Sequence, residues 1–263
     1  MLLRRITEHL RNQNWFAVAI DFVIVVAGVF LGIQVANWND ALAQERLGQQ
    51  YQQRMIADLK GDLEIYQSSS SYYQEVLDNV RKADRMIGAE DPDPRELVIA
   101  AYRASEFMNN PHNRTTWERV VGSGHIDLLP QQALDDGLAD YYRFNPNDDE
   151  SLTFMQGSSY RKLARSIIPL EIQLDIRENC SDVIDENNYV SGFVDTCELQ
   201  SDAETLAQAA EALRTHPSIR AELRYQYSTV AMVDNNATGS IPVIRRLIAL
   251  LEDEGDRDAS DLD

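Results

Sequence analysis

The sequence predicts a mainly α protein, with one N-terminal transmembrane helix continuing into an extracytoplasmic helical bundle that carries a small disulfide-closed loop. Three observations predict this. The run from Phe16 to Ala36 is apolar except for Asp21 and Gln34. Beyond it, apolar residues recur at helical rather than strand spacing. The two cysteines, Cys180 and Cys197, are near enough in sequence to close a short loop. On the oxidising side of a membrane such a pair forms a disulfide.

A hydrocarbon core of about 30 Å needs roughly 20 helical residues, and Phe16–Ala36 supplies them. Trp15 and Trp38 bracket the run at interfacial depth, so residues 15–38 are read as the span and 1–14 as a cytoplasmic arm. Leu2, Leu3, Ile6 and Leu10 give that arm an amphipathic helical pattern. Arg4, Arg5 and Arg11 outweigh Glu8, which orients the N-terminus inward and the rest of the chain outward. The expected place is a bacterial inner (cytoplasmic) membrane, single-pass, with a periplasmic or extracytoplasmic C-terminal domain. A cleaved signal peptide is the rival, with Ala41-Leu42-Ala43 as a small-x-small cut. Against it, the apolar run is longer than such peptides need and the cut lies well past its end.

Gly28-x-x-x-Gly32 is the spacing that lets two membrane helices approach closely. Asp21 returns to nearly the same helical angle, at steps of 7 and 11 residues, so all three share a face. A carboxylate at that depth has two readings. Either Asp21 reaches water at the cytoplasmic interface, helped by Arg11, or it marks an ion path or a contact with another subunit. Gln34, roughly opposite, reads as interfacial. The partners implied are the membrane and, through this helix, a second copy or another membrane protein.

The net charge is −19. With three arginines and one glutamate before the span and Asp21 within it, about twenty net negative charges lie beyond it. That excludes nucleic acid as a natural partner and disfavours close docking on anionic lipid. Two cysteines and four histidines without ligand spacing give no zinc site, and no free catalytic thiol remains once Cys180 and Cys197 pair. No metal or cofactor site is expected.

After the span, Leu47, Tyr51, Met55, Leu59, Leu63, Tyr66, Tyr73, Leu77 and Val80 keep a helical period to about Ile87, weakened at Gly48 and Gly61. Asp91-Pro-Asp-Pro94 stops it, and a helix from Arg95 to about Met108 follows. Thr115 or Thr116 caps a helix that ends at Gly122-Ser-Gly124. Ile126–Pro130 reads as extended, and Gln131–Arg143 as one helix ending in Tyr141-Tyr142. Asn145–Glu150 is a polar loop lacking the glycine and terminal glutamate of a calcium loop. Ser151 to about Ile176 reads as a long helix with a kink at Pro169. Tyr189–Val194 has the pattern of a two-residue hairpin. Helices at Ser201–Arg214, Pro217–Asn235 and Pro242–Leu251 complete a domain spanning 39–251, and residues 252–263 form an acidic, disordered tail.

Two stretches carry a resemblance. One is Asp21-(x)6-Gly28-(x)5-Gln34 leading to Asn37-Trp38-Asn39-Asp40. The other is Thr116-(x)6-Ser123-Gly124-x-Ile126-Asp127-Leu128-Leu129, with Leu134 and Tyr141-Tyr142 after it. Together they resemble an uncharacterised family of bacterial single-span membrane-anchored proteins, a domain of unknown function. Asp40 stands where that pattern has glutamate. The resemblance implies topology and favours a role for Asp21; it implies no activity.

No glycine-rich phosphate loop, G-x-S-x-G elbow or His-Glu-x-x-His helix occurs. Ser123, with His125 two residues on, reads as a helix-stopping turn rather than a nucleophile and base, and Trp117 as core. The expectation is a non-catalytic, membrane-anchored protein whose outer helical domain mediates protein–protein interaction or self-assembly. Alternatives are an accessory subunit of an ion-driven membrane complex using Asp21, and an extracytoplasmic ligand sensor, although the ligand would be unknown.

Overall fold

A computed structural model describes residues 15–143 and 149–260. The expected N-terminal arm and most of the Asn145–Glu150 loop lie outside the described residues. The chain divides into two units, Met1–Tyr51 and Gln52–Asp263, with helix α1 (Trp15–Ile87) crossing the division.

In the first unit, every residue from Ala19 to Ala41 is exposed, including Phe22, Val26, Phe30 and Leu31. Up to Trp38 only Asp21, Gln34 and Asn37 among these exposed residues are polar, and this stretch is long and apolar enough to cross a membrane. A soluble helix keeps a polar face; from Phe22 to Ile33 this one carries no polar side chain.

The second unit is a helical bundle. From Gln52 onward α1 buries Met55, Leu59, Asp62, Tyr66, Ser69, Tyr73, Val76 and Val80 at steps of three and four, the period of a helix with one face turned inward. Its continuation to Ile87 agrees with the periodicity. The final helix, α10 (Ile219–Ser260), runs antiparallel to it. Arg220 pairs with Asp84 at 3.0 Å, Ser70 donates to Asp234 at 2.9 Å, and Lys60 meets Glu252 at 2.7 Å. Pro242 does not start a separate short helix; α10 passes through it. Buried Ala237 and Val233 before it, and Ile244, Leu247 and Leu251 after it, hold both arms against the core. The packing outweighs one lost backbone bond. The backbone stays helical to Ser260, within the stretch expected to be disordered.

Between these helices lie shorter ones. In α2 (Pro94–Arg103) Pro94 sits in the first turn, and the Asp93 carboxylate caps the backbone N–H groups of Arg95 and Glu96. It ends five residues before the expected Met108, where the Ser105 hydroxyl donates to the Tyr102 carbonyl. α3 (Thr115–Gly122) stops in the Gly122-Ser-Gly124 turn as expected, with Gly124 at φ 71°. Ile126–Leu128 is a short 3₁₀ turn, not an extended connection. Gln131–Arg143 divides into α4 (Gln131–Asp135) and α5 (Leu138–Arg143), because Gly137 takes φ 99° between them.

The expected long helix from Ser151 is three helices: α6 (Asp149–Gln156), α7 (Ser159–Ile167) and α8 (Leu170–Asn179). Gly157 ends the first, and Ser158 starts the second by accepting from the Arg161 N–H at 3.2 Å. Pro169 breaks rather than kinks the chain, since Ile168 before it is extended. The Tyr189–Val194 segment is not itself a hairpin. Val190–Phe193 is strand β2, paired antiparallel with β1 (Asp182–Ile184). The turn lies upstream, where Asp185 accepts the N–H groups of Asn187 and Tyr189, each at 2.9 Å. α9 (Ala203–Thr215), capped by Asp202, packs on α2. The main core gathers Leu97, Tyr102, Ile172, Leu206, Leu213 and Leu223; a smaller one gathers Tyr72, Val76, Met155, Phe193 and Val230.

Candidate functional site

The sequence-predicted positions fall in different parts of the chain. Asp21 is exposed on α1, and a Cβ added at Gly28 or Gly32 would meet nothing within 4 Å. All three lie on one continuous helix, so helical periodicity places them on a common open face. Cys180 and Cys197 form the expected disulfide, with Cα atoms 4.8 Å apart across 17 residues of sequence. Closing a loop of that length stabilises the fold by about 3 kcal/mol.

The bond ties the end of α8 to the segment after the hairpin, and beside it lies a polar cluster that sequence inspection missed. Glu106, in the turn after α2, is 5% exposed and is surrounded by three arginines. Its Oε1 is 3.0 Å from Arg165 and 3.1 Å from Arg177, and its Oε2 is 3.3 Å from Arg161. Arg161 also donates to the Ser105 carbonyl at 2.5 Å, and Arg165 to the Ser105 hydroxyl at 2.8 Å. The Arg165 guanidinium lies over the Tyr102 ring at 3.2 Å. Three guanidiniums thus share one buried carboxylate, and Asp182 is a further acid acting on Arg177.

A fourth arginine, Arg103, has no carboxylate within ion-pairing distance among the described residues, although Glu75, Asp182 and Glu96 act on it from farther off. It donates one Nη2 hydrogen to the Val194 carbonyl at 3.0 Å and stacks over Phe193 at 4.8 Å, while its buried Nε has no hydrogen-bond partner. Burial lowers its pKa from the ordinary value, offset in part by Glu75 and Asp182. Asp182, on β1, is pushed above the usual carboxylate range by burial and then by Glu106. Two arginines, Arg103 and Arg177, and two carboxylates, Glu106 and Asp182, line a cavity of about 80 Å³ together with Tyr102 and Phe193. A Cβ at Gly192 would displace the Glu75 carboxylate, whose Oε2 accepts the Phe193 N–H at 2.7 Å.

A second buried cluster is structural in its connections. Asp62 accepts from the Tyr141 hydroxyl at 2.7 Å and lies 3.1 Å from His112 Nδ1, with both ring and carboxylate almost fully enclosed. Tyr142 stacks on Trp117 at 5.0 Å and its hydroxyl reaches Met55 Sδ at 3.1 Å. The tyrosine pair that ends α5 therefore clamps that helix onto α1. Burial, then the Asp62 charge, drives the Tyr141 phenol far above its ordinary value, so it stays a donor. Ser123 and His125 do meet, Oγ to Nδ1 at 3.0 Å. The serine hydroxyl, however, is directed to the Arg119 and Val120 carbonyls at 2.8 and 3.2 Å, which is a helix-end cap.

Among the described residues, no group of three or more His, Cys, Asp or Glu side chains is placed to hold a metal ion. A shallower cleft of about 160 Å³ between α1 and α10 is lined by Val80, Leu223 and Tyr227. On its charged rim Arg81 pairs with Asp78 and Asp84 with Arg220, and Arg224 lines it as well.

Comparisons with known proteins give little to set beside this geometry. No family model matches the chain, and no solved structure matches it. A stretch of 116 residues is 28% identical to a 3-deoxy-manno-octulosonate cytidylyltransferase of Chlorobium phaeobacteroides, covering 39% of this chain and 45% of that protein. The chain thus spans less than half the length of that relative, and the likeness assigns it to no family.

Proposed function

We propose that this protein is a non-catalytic, single-pass membrane protein of the bacterial cytoplasmic membrane, whose outer helical domain works through protein–protein contact. The observation that carries the reading is the stretch from Ala19 to Trp38, apolar except at Asp21, Gln34 and Asn37 and exposed throughout among the described residues. Lipid is the solvent such a surface requires. The arginines at positions 4, 5 and 11 favour an inward N-terminus. The open Gly28 and Gly32 face favours a second helix in the membrane, from another copy or another membrane protein.

The native cysteines are consumed in a disulfide, so a single cysteine placed at Gly28 or Gly32 is the one free thiol. In-membrane crosslinking from it should capture a discrete partner, a homodimer or a second membrane protein. A cysteine at Phe30, off that face, should capture less. Equal and diffuse capture from all three positions contradicts the packing face. Asp21 supports a second reading, an accessory role in an ion-driven complex, because a carboxylate within an apolar span is costly. Asp21→Asn separates the two: intact assembly with lost activity of the captured complex favours ion coupling, and unchanged activity removes it.

A further inference from the structure

We propose that the outer edge of strand β1 is a docking site for an extended, basic segment of another protein, which joins the hairpin as a third strand. This gives the protein–protein contact proposed above a place and a chemistry, and it rests on that reading. The chain treats the two edges of the hairpin differently. On β2 the outward backbone groups are taken. The Asn110 amide holds both the N–H and the carbonyl of Val190, at 3.3 and 3.2 Å, and Glu75 Oε2 accepts the Phe193 N–H at 2.7 Å. On β1 the groups that face β2 are the Ser181 carbonyl, which accepts from the Val194 N–H, the Val183 carbonyl, 3.4 Å from Ser191 Oγ, and the Asp185 N–H, which donates to the Tyr189 carbonyl at 2.9 Å. Backbone groups alternate along a strand, so those of Asp182 and Ile184 face away from β2. Among the described residues no side chain caps them as Asn110 caps Val190.

An open edge of this kind is a template for one more strand. Val183 and Ile184 are both exposed on it, and β-branched side chains are what an added strand packs against. The Cys180–Cys197 bond ties the two ends of the hairpin, so the edge is held in strand conformation before a partner arrives. Charge decides which strand suits it. From Glu178 to Glu198 the chain carries six carboxylates and neither lysine nor arginine, and Glu178, Glu186, Asp195 and Glu198 are exposed. A second copy of β1 would bring like charges together, whereas a basic segment meets opposite ones. With only three residues, β1 offers few backbone bonds, so attraction between charges has to supplement them.

The test uses the full-length protein in detergent and, as the probe, a fluorescent peptide of alternating lysine and valine, read by anisotropy. Saturable binding is expected, weakened about tenfold or more when glutamate replaces the lysines or when the backbone nitrogens of the peptide are methylated. Added salt should weaken it as well. Binding should slow hydrogen exchange over residues 182–184 of the unmutated protein, a reading that no variant's folding can disturb. Ile184→Pro removes an outward N–H and no bond to β2, and should weaken the peptide about tenfold. Ile184→Lys, at an exposed position, should do the same by repelling the probe, with the thermal midpoint unchanged. No saturable binding, equal binding of the glutamate or the methylated peptide, or slowed exchange only outside residues 182–184 overturns the proposal. So does self-association of the protein that Ile184→Lys abolishes, since the occupant is then a second copy. Failure here while a cysteine at Gly28 still captures a discrete partner strikes the strand site alone; failure of both strikes the protein-contact reading with it.

Discussion

Between Ala19 and Trp38, α1 presents Phe22, Val26, Phe30 and Leu31 to its surroundings with no face spared; between Gln52 and Ile87 it buries Met55, Leu59, Tyr66 and Val76 and exposes Gln53, Glu64, Gln67 and Asp78. The backbone is the same α-helix in both stretches. What differs is who supplies the apolar surroundings. The later stretch receives them from the chain itself, through α10, α5 and the hairpin, and its polar residues are placed accordingly. The earlier stretch receives none, and its composition is what a helix needs when lipid does that work.

The strongest way to break this contrast is to charge the first stretch. Val25→Lys with Val29→Lys should cost about 5–7 kcal/mol of insertion free energy and move the protein from the membrane to the soluble fraction. A protein that stays in the membrane pellet would mean the stretch is not the anchor. A cavity in the second stretch should act on folding instead. Leu59→Ala, at a fully buried position, should lower unfolding stability by about 2–5 kcal/mol in denaturant titration. Val29→Ala, at an exposed position, should leave that transition where it is.

The smallest effect sharpens the account of the polar cluster. Asp182 is held above the ordinary carboxylate range by burial and by Glu106. The folded state thus binds its proton more tightly than the unfolded chain. It favours folding below the unfolded value of about 3.9, and that contribution is lost as pH rises through the folded value. Asp182→Asn should therefore stabilise the protein near neutral pH, by no more than about 1 kcal/mol because the group is only half-buried. The gain should vanish toward about pH 3. Thermal midpoints of both proteins across that range check it.

Much of the helical frame is legible in the sequence, because long periodic stretches and Pro or Gly stops act locally. The end of α1 at Ile87, the Asp93-Pro94 start of α2 and the Gly122-Ser-Gly124 stop are of this kind. So is the disulfide, from two cysteines alone. The misread elements depend on distant packing. Pro242 looks like a boundary until Ile244 and Leu247 are seen docked, and Ser191-Gly192 looks like a turn until β1 and Glu75 claim it as a strand. The arginine cluster was invisible for the same reason. Arg161 and Arg165 share a helical face at a spacing of four, but nothing local connects them to Glu106 or to Arg177.

The most direct measurement is protease access to the second unit in sealed membranes of opposite orientation. The account predicts that residues 52–263 are digested in spheroplasts and protected in inverted vesicles, with a fragment holding the apolar stretch left in the bilayer in the first case. Protection in spheroplasts with digestion in inverted vesicles, or release of the whole chain by alkaline carbonate, would contradict it.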